Sequence, residues 1–349
     1  MKVVYIEPPP IIPIVNSSVI QGDVRTVLPR LPSESVQCVV TSPPYWGLRD
    51  YGIDGQIGLE PTMAGFIGSM TAVFAEVRRI LKPDGILWLN IGDGFTSGNR
   101  GWRAPDKKNP NRAMNVRPDN PPGLKDKDLM GIPWRLAFAL QDEGWYLRSD
   151  IIWNKPNAMP ESVKDRPTRS HEYLFMFTKS DKYTYHGDRV KEMGGNGSLR
   201  NRRSVWNINT AASAGAHIAS FPVALVEPCV LASSEEGEVV FDPFFGCGTV
   251  GLVARKHNRR YLGIELNPEY VNSALNLLGP ASCEFGQHGK LPATSDYANE
   301  FTLRDAPSLS GSGLAASPKS ASATSTGHDG KKSRVGYTKQ GVGRKRSGQ

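Results

Sequence analysis

Val239-Val-Phe-Asp-Pro-Phe-Phe-Gly-Cys-Gly-Thr-Val-Gly-Leu-Val-Ala254 is the stretch on which the fold turns. A short apolar strand ends at Asp242, a glycine-rich turn follows, and an apolar helix begins near Thr249. A second strand, Tyr261–Ile264, ends at Glu265, nineteen residues after Gly246. Strand, glycine turn, helix and strand make a βαβ unit suited to an adenosine-type cofactor. The glycines let the backbone approach the ligand, and the acid at the next strand end accepts hydrogen bonds from a ribose diol. Gly246, Gly248 and Gly251 also satisfy GxGxxG, so a nicotinamide-dependent oxidoreductase and a purely structural glycine turn both remain open.

The same alternation continues upstream. Val36–Thr41 is an apolar run that leads into Ser-Pro-Pro, and Ile86–Ile91 leads into Gly92-Asp93. Between them, Met70–Leu81 places Val73, Phe74, Val77, Ile80 and Leu81 on one helical face and stops at Lys82-Pro83-Asp84-Gly85. Gly131–Glu143 reads as another helix, with Pro133 near its start and Gly144 beyond its end. Strands alternating with helices predict an α/β fold with a mainly parallel sheet flanked by helices.

The chain has 349 residues, 42 Lys+Arg against 34 Asp+Glu, and a formal charge of +8. Nine of the bases and two of the acids lie in residues 302–349, so +7 of the charge belongs there and residues 1–301 are nearly balanced. Two stretches inside that balance are basic and read as inserts. Residues 95–130 hold eight basic and four acidic residues, and residues 154–206 hold eleven and six, with Tyr173, Tyr183, Tyr185 and Trp206 interspersed. The rest of residues 1–301 has 14 basic and 22 acidic residues, so basic inserts sit on an acidic scaffold. Such inserts fit solvated loops or a surface that neutralises nucleic-acid phosphates. From about Ala306 the chain is rich in Ser, Gly, Ala and Thr and then basic, which predicts a disordered tail over 302–349 beyond a folded domain of residues 1–301.

Cys38, Cys229, Cys247 and Cys283 form no CxxC pair, and no histidines sit at metal-ligand spacing, so no metal site and no disulfide framework are expected. Met1–Val15 is broken by Glu7 and the Pro8-Pro9-Pro10 run and lacks the form of a signal peptide; Ser204–Val226 is too polar to span a bilayer. A soluble, cytoplasmic protein with no membrane partner is the expectation.

Val39-Val-Thr-Ser-Pro-Pro-Tyr-Trp46 is a strand running into a turn, with an aromatic pair after Ser-Pro-Pro. Ser42-Pro43-Pro44-Tyr45 is similar to the (Ser/Asn/Asp)-Pro-Pro-(Tyr/Phe) signature of enzymes that methylate an exocyclic base amine. Asp-Pro-Phe-x-Gly-x-Gly-Thr, from Asp242 to Thr249, resembles their S-adenosylmethionine loop. Here the tetrapeptide precedes the glycine loop, with the basic region between them. That order resembles the β-class of N4-cytosine/N6-adenine DNA methyltransferases. Gly22-Asp23, Leu81-Lys-Pro-Asp-Gly-Ile-Leu87, Trp153-Asn-Lys-Pro-Asn157, Arg169-Ser-His-Glu-Tyr-Leu-Phe175 and His217-x-x-x-Phe221-Pro222 extend the likeness over about residues 16–278.

The resemblance implies a Rossmann-like methyltransferase fold with permuted motif order, and S-adenosyl-L-methionine as cofactor. It assigns cofactor contacts to Asp23, His217, Phe221, Pro222, Asp242, Phe244, Gly246, Gly248, Thr249, Glu265 and Asn267, the last two within Gly-Ile-Glu-Leu-Asn-Pro-Glu-Tyr270. It assigns catalysis to Ser42, Pro43, Pro44 and Tyr45. An aromatic amine attacks poorly because its lone pair is delocalised; the Ser42 side chain and the Pro43 carbonyl would accept both amine hydrogens and free that pair. The prolines stiffen the turn, and Tyr45 would stack on a base flipped out of the duplex. Ser at the first position favours cytosine N4; adenine N6 is the alternative. Pro228-Cys229 supplies the dipeptide of a C5-cytosine nucleophile but lacks the companion motifs, so Cys229 reads as a core residue. A dehydrogenase would leave the tetrapeptide unexplained, while an RNA or protein amine, or an inactive DNA-binding protein, stays open. The implied partner is double-stranded DNA, read by Trp46, Arg166, Arg169, Arg202 and Arg203; a homodimer and a cognate restriction endonuclease are compatible with the family.

Overall fold

The computed structural model describes residues 10–96, 119–210 and 221–279. Its first elements are β1 (Ser18–Gln21), α1 (Val24–Val27), β2 (Val36–Thr41), α2 (Met63–Ile80) and β3 (Leu81–Ile91). There follow α3 (Ile132–Asp142), β4 (Tyr146–Asn154), β5 (His171–Thr178), β6 (Glu192–Met193), β7 (Leu199–Arg200) and β8 (Val205–Asn207). The chain returns through α4 (Val223–Ser233), β9 (Val239–Asp242), α5 (Thr249–Lys256), β10 (Arg260–Glu265) and α6 (Pro268–Leu278). Among the described residues no helix is long and apolar enough to cross a membrane.

Among the described residues, eight strands form one sheet in the order β1-β10-β9-β2-β3-β5-β4-β8, while β6 and β7 make a separate hairpin. From β1 to β3 every pairing is parallel; β5 runs antiparallel to both β3 and β4. Strand alternation divides the core. Val39, Leu87, Phe175, Phe241 and Leu262 face the side covered by α1, α2 and α3, whereas Cys38, Val40, Trp88, Val240 and Tyr261 face α4, α5 and α6. Both sheet faces are therefore covered, and β2 is buried along its whole length, as central parallel strands are.

Helix α2 shows how sequence sets these layers. The Thr62 side chain caps it by accepting a hydrogen bond from the Gly65 N–H at 3.0 Å. Phe66, Met70, Val73, Phe74, Val77 and Ile80 then form the stripe it buries, and Arg78 and Arg79 occupy the last turn, where cations suit the helix dipole. The helix starts seven residues earlier than its apolar stripe predicts. It also ends one residue earlier: Leu81 is extended (φ −69, ψ 137) and opens β3, so Lys82-Pro83-Asp84-Gly85 lies inside a strand. The register shift between Val36 and Cys38 on β2 accommodates this stretch.

Two other features emerge. Gly22-Asp23 directly follows β1, a strand not read from the sequence, and Asp23 caps α1. Residues 154–206 are not one insert, because they contain β5, whose buried Leu174–Phe177 segment lies between β3 and β4 in the sheet. His217, Cys283, residues 302–349 and the middle of the 95–130 stretch lie outside the described residues.

Candidate functional site

The sheet's order places two turns side by side. From β2 the chain moves to β3 on one side, and from β9 it moves to β10 on the other, so the boundary between β2 and β9 is a topological switch point. Ligands of open α/β sheets bind in the crevice outside the carboxyl ends of strands at such a point. Ser42–Tyr45 follow β2 there and Asp242–Gly248 follow β9. The Thr41 hydroxyl donates to Asp242 Oδ1 at 2.7 Å, tying one strand end to the other across 201 residues of sequence.

Asp242 is buried and also accepts a hydrogen bond from the Phe244 N–H at 3.0 Å. Burial pushes its carboxyl up to about 7, against the opposing pull of the Thr41 and Phe244 donors. At the end of β10, Glu265 accepts from the Gly246 N–H on one oxygen and the Asn267 N–H on the other, both at 2.8 Å. Burial raises this carboxyl too, while the backbone donors hold it down. Gly246 has φ +54, and open space lies where a Cβ would project, so its backbone is accessible to a ligand. Gly248 has φ +88 and caps α5, with Ala274 and Phe245 where a Cβ would sit. It shapes the turn rather than facing the opening.

The tetrapeptide forms the adjoining wall. The Tyr45 hydroxyl donates to Glu172 Oε2 at 2.9 Å, and Lys155 donates to the other oxygen of that carboxylate. Burial, then the Glu172 charge, raise the Tyr45 phenol well above its ordinary range, so it remains a donor. A cavity of about 870 Å³ joins the two turns. Ser42, Pro43, Pro44 and Tyr45 line it, as do Asp242, Phe244, Gly246 and Thr249 from the β9 side. Glu265 and Asn267 complete that end, and Asp23 and Phe221 enter from the turn between β1 and α1 and from the segment just before α4. Asp23 is bound by Arg25 through both carboxylate oxygens. Pro222 is instead a buried cap residue at the N-terminus of α4.

A family model described as DNA methylase matches residues 36–276. The chain belongs to that DNA methylase family. The methylase is 70% identical over 263 residues to Type II methyltransferase M.XycI of Xanthomonas campestris pv. cyanopsidis, covering 75% of this chain and 88% of that one. It is 66% identical over 263 residues, with the same coverage, to Type II methyltransferase M.Cfr9I of Citrobacter freundii. Among solved structures, PvuII DNA methyltransferase (cytosine-N4-specific) shares the fold, with a TM-score of 0.57 at 22% identity over 82% of this chain and 92% of that chain. A DNA modification methylase of Thermus thermophilus, TTHA0409, complexed with S-adenosyl-L-methionine, gives a TM-score of 0.52 at 25% identity over 77% of this chain and 96% of that chain. The family replaces the oxidoreductase reading of the glycine turn.

Not every candidate of the methylase stands where the sequence suggests. Trp46 is 6% exposed, and its indole N–H donates to the Glu60 carbonyl at 2.8 Å, so it is a core wedge and not a DNA contact. Arg166 pairs with Glu161 at 2.7 Å and lies 3.8 Å over the Phe95 ring. Arg169 stands 4.0 Å from the Asp93 carboxylate, over the same ring. These two guanidinium groups fasten the segment after β4 to the segment after β3. Arg202 stacks at 4.3 Å over Trp206, and Arg203 is exposed. Cys229 is buried in α4, and burial holds its thiol well above the ordinary range, which suits a core residue and not a nucleophile. Residues that sequence reasoning missed include Asn90, Lys155 and Glu172, along with Tyr51 and Tyr270, which meet edge to face at 6.0 Å; all line the cavity. Glu172 and Lys155 stand within quoted motifs, but nothing in their spacing brings them to Tyr45.

Proposed function

We propose that this DNA methylase transfers a methyl group from S-adenosyl-L-methionine to the exocyclic N4 amine of cytosine, at a specific site in double-stranded DNA. The observation that carries the reading is the Thr41–Asp242 hydrogen bond, which joins the amine-accepting turn to the acid-and-glycine turn in one cavity. The residues present fit the cofactor. Glu265 offers a carboxylate to a ribose diol, Gly246 leaves its backbone open, and buried Asp242 supplies an acidic wall for a cationic methionine end. TTHA0409, a relative of the same fold, was solved with this compound. When bound, the cofactor supplies an electrophilic methyl on a positively charged sulfur.

The chain's own residues prepare the amine. Ser42 Oγ and the Pro43 carbonyl accept its two hydrogens and draw the lone pair out of the ring. Tyr45 offers its face to the flipped base. The amine nitrogen forms the new N–C bond as the C–S bond breaks, the pair of that bond stays on sulfur, and one amine proton passes to water. Ser42, a hydroxyl rather than a carboxylate or amide, supports cytosine N4 as the target. Residues 1–301 form the catalytic domain and residues 302–349 a basic tail. The enzyme acts in the cytoplasm as the modification half of a Type II system, with a cognate endonuclease as its counterpart.

The deciding experiment incubates the enzyme with DNA and methyl-labelled cofactor and digests the product to nucleosides. Label in N4-methylcytidine is the expected outcome. Label in N6-methyladenosine would move the target to adenine, and absence of label from DNA would overturn the assignment.

A further inference from the structure

We propose that Glu172 and Lys155 are positioning residues that hold the Tyr45 ring in the attitude against which the target base stacks, an inference that rests on the DNA-methyl-transfer reading. Three separate segments meet here. Tyr45 comes from the turn after β2, Lys155 from the end of β4 and Glu172 from the start of β5. Antiparallel pairing of the two strands sets Trp153 opposite Glu172, which brings Lys155 within reach of the carboxylate. The Lys155 ammonium also lies 4.2 Å over the Trp153 ring, so it is fixed by a charge on one side and an aromatic face on the other. Glu172 then uses one oxygen for Lys155 and the other for the Tyr45 hydroxyl.

The ring is clamped along its edge as well. A Cβ at Gly92 would stand 2.8 Å from Tyr45 Cε2 and 3.3 Å from Glu172 Cγ, so the β3 end closes directly on both side chains. Lys155 and Glu172 are 17% and 18% exposed, and both line the cavity. An ion pair so far withdrawn from water adds little to stability over an apolar pair of similar size, because desolvation offsets the attraction. What it adds is fixed geometry: a phenol free to rotate would be ordered at the moment the base enters, and this phenol is ordered beforehand.

A double-mutant cycle tests the inference. Wild type, Glu172→Gln, Tyr45→Phe and the double variant are compared by thermal melting, by calorimetric binding of S-adenosylhomocysteine, and by kcat and KM. They are also compared, without cofactor, by the fluorescence of a duplex carrying 2-aminopurine at the methylated position. Each single variant is expected to lower kcat about tenfold, the scale of one hydrogen bond to a charged group, and to blunt the fluorescence rise. Binding of S-adenosylhomocysteine stays within about twofold of wild type, since the cofactor end of the cavity is untouched. The double variant is no worse than the worse single, because both changes remove the same bond. Lys155→Met should copy Glu172→Gln, and Lys155→Arg should retain much of the activity. Losses that multiply in the double variant, or a wild-type fluorescence response in Glu172→Gln, would overturn the proposal. A wild-type enzyme that leaves DNA unlabelled would refute the methyl-transfer reading instead, and the cofactor-free fluorescence cycle would still decide the positioning role.

Discussion

Asp242 carries an unusual load for one side chain: it ends β9, ties that strand to β2 through Thr41, and faces the cavity. Burial raises its carboxyl to about 7, above the ordinary carboxylate range. Between about pH 4 and 7 the folded chain therefore holds a proton that the unfolded chain has released. Stability from this group is present at the acid end of that window and is lost as pH rises through 7. Three pH units correspond to about 4 kcal/mol as an order of magnitude. Urea unfolding at pH 5, 6, 7 and 8 should show the fall, and Asp242→Asn should flatten much of it. The same proton must leave before the carboxylate can face a cation. Affinity for S-adenosyl-L-methionine should then rise about tenfold per unit from pH 5.5 toward 7 and level off above it, measured by calorimetry. A flat profile would place the cofactor's charge elsewhere. Trp46 makes the opposite case, a conspicuous aromatic beside the motif that serves the core. Trp46→Ala should cost about 3–5 kcal/mol in unfolding free energy. Trp46→Phe should keep DNA affinity within about twofold of wild type, because its side chain would stay buried.

Phe245 shows how the glycine loop is held between elements. Its N–H donates to Ile264 O at 2.9 Å, and its ring stacks at 6.0 Å on Tyr261 of β10. A Cβ at Gly263, in the middle of that strand, would lie 2.3 Å from the ring. Gly263→Ala should force the ring aside and lower the unfolding free energy by about 1–3 kcal/mol, with Phe245→Leu in the same chain recovering part of it. Denaturant unfolding of the three variants would check this, and an unchanged midpoint in Gly263→Ala would show that the ring can move freely. The elements differ in how far their sequences betray them. Val36–Thr41 and Val239–Asp242 are short apolar runs bounded by turn residues, and both strands have those bounds. Lys82-Pro83-Asp84-Gly85 has the composition of a turn, yet it continues a strand because β2 shifts register beside it. β5 hides in a basic stretch because its flanks are charged while only Leu174–Phe177 is apolar, and its place in the sheet depends on pairing with β3, some eighty residues away. The site divides the same way. Ser42–Tyr45 and Asp242–Thr249 are local motifs and can be read along the chain. The contact of Tyr45 with Glu172, 127 residues apart, exists only once β3 has paired with β2 on one side and with β5 on the other.

Charge is the property that only the whole molecule explains. The +8 of the sequence suggests affinity for polyanions, but +7 of it sits in residues 302–349. Within the described residues, several bases of the two basic stretches are held by acids at short range: Lys127 with Asp165, Lys155 with Glu172, Arg166 with Glu161 and Arg200 with Glu192. A count of Lys and Arg therefore overstates the number of phosphates these segments neutralise. Specificity depends on groups that reach base edges, whereas a run of like charge adds sequence-independent affinity. Each phosphate neutralised steepens the dependence of log affinity on log salt by about 0.9, so nine basic residues could account for much of the slope. Deleting residues 302–349 should leave the methylated sequence unchanged and kcat within about twofold, while flattening the salt dependence of DNA binding and weakening non-specific binding most at low salt. Sequencing of the modified sites, together with binding titrations from about 50 to 200 mM salt, separates the two effects. If the truncated enzyme stays folded and binds its cofactor but no longer selects its site, base readout belongs to the tail and not to the segments around the cavity.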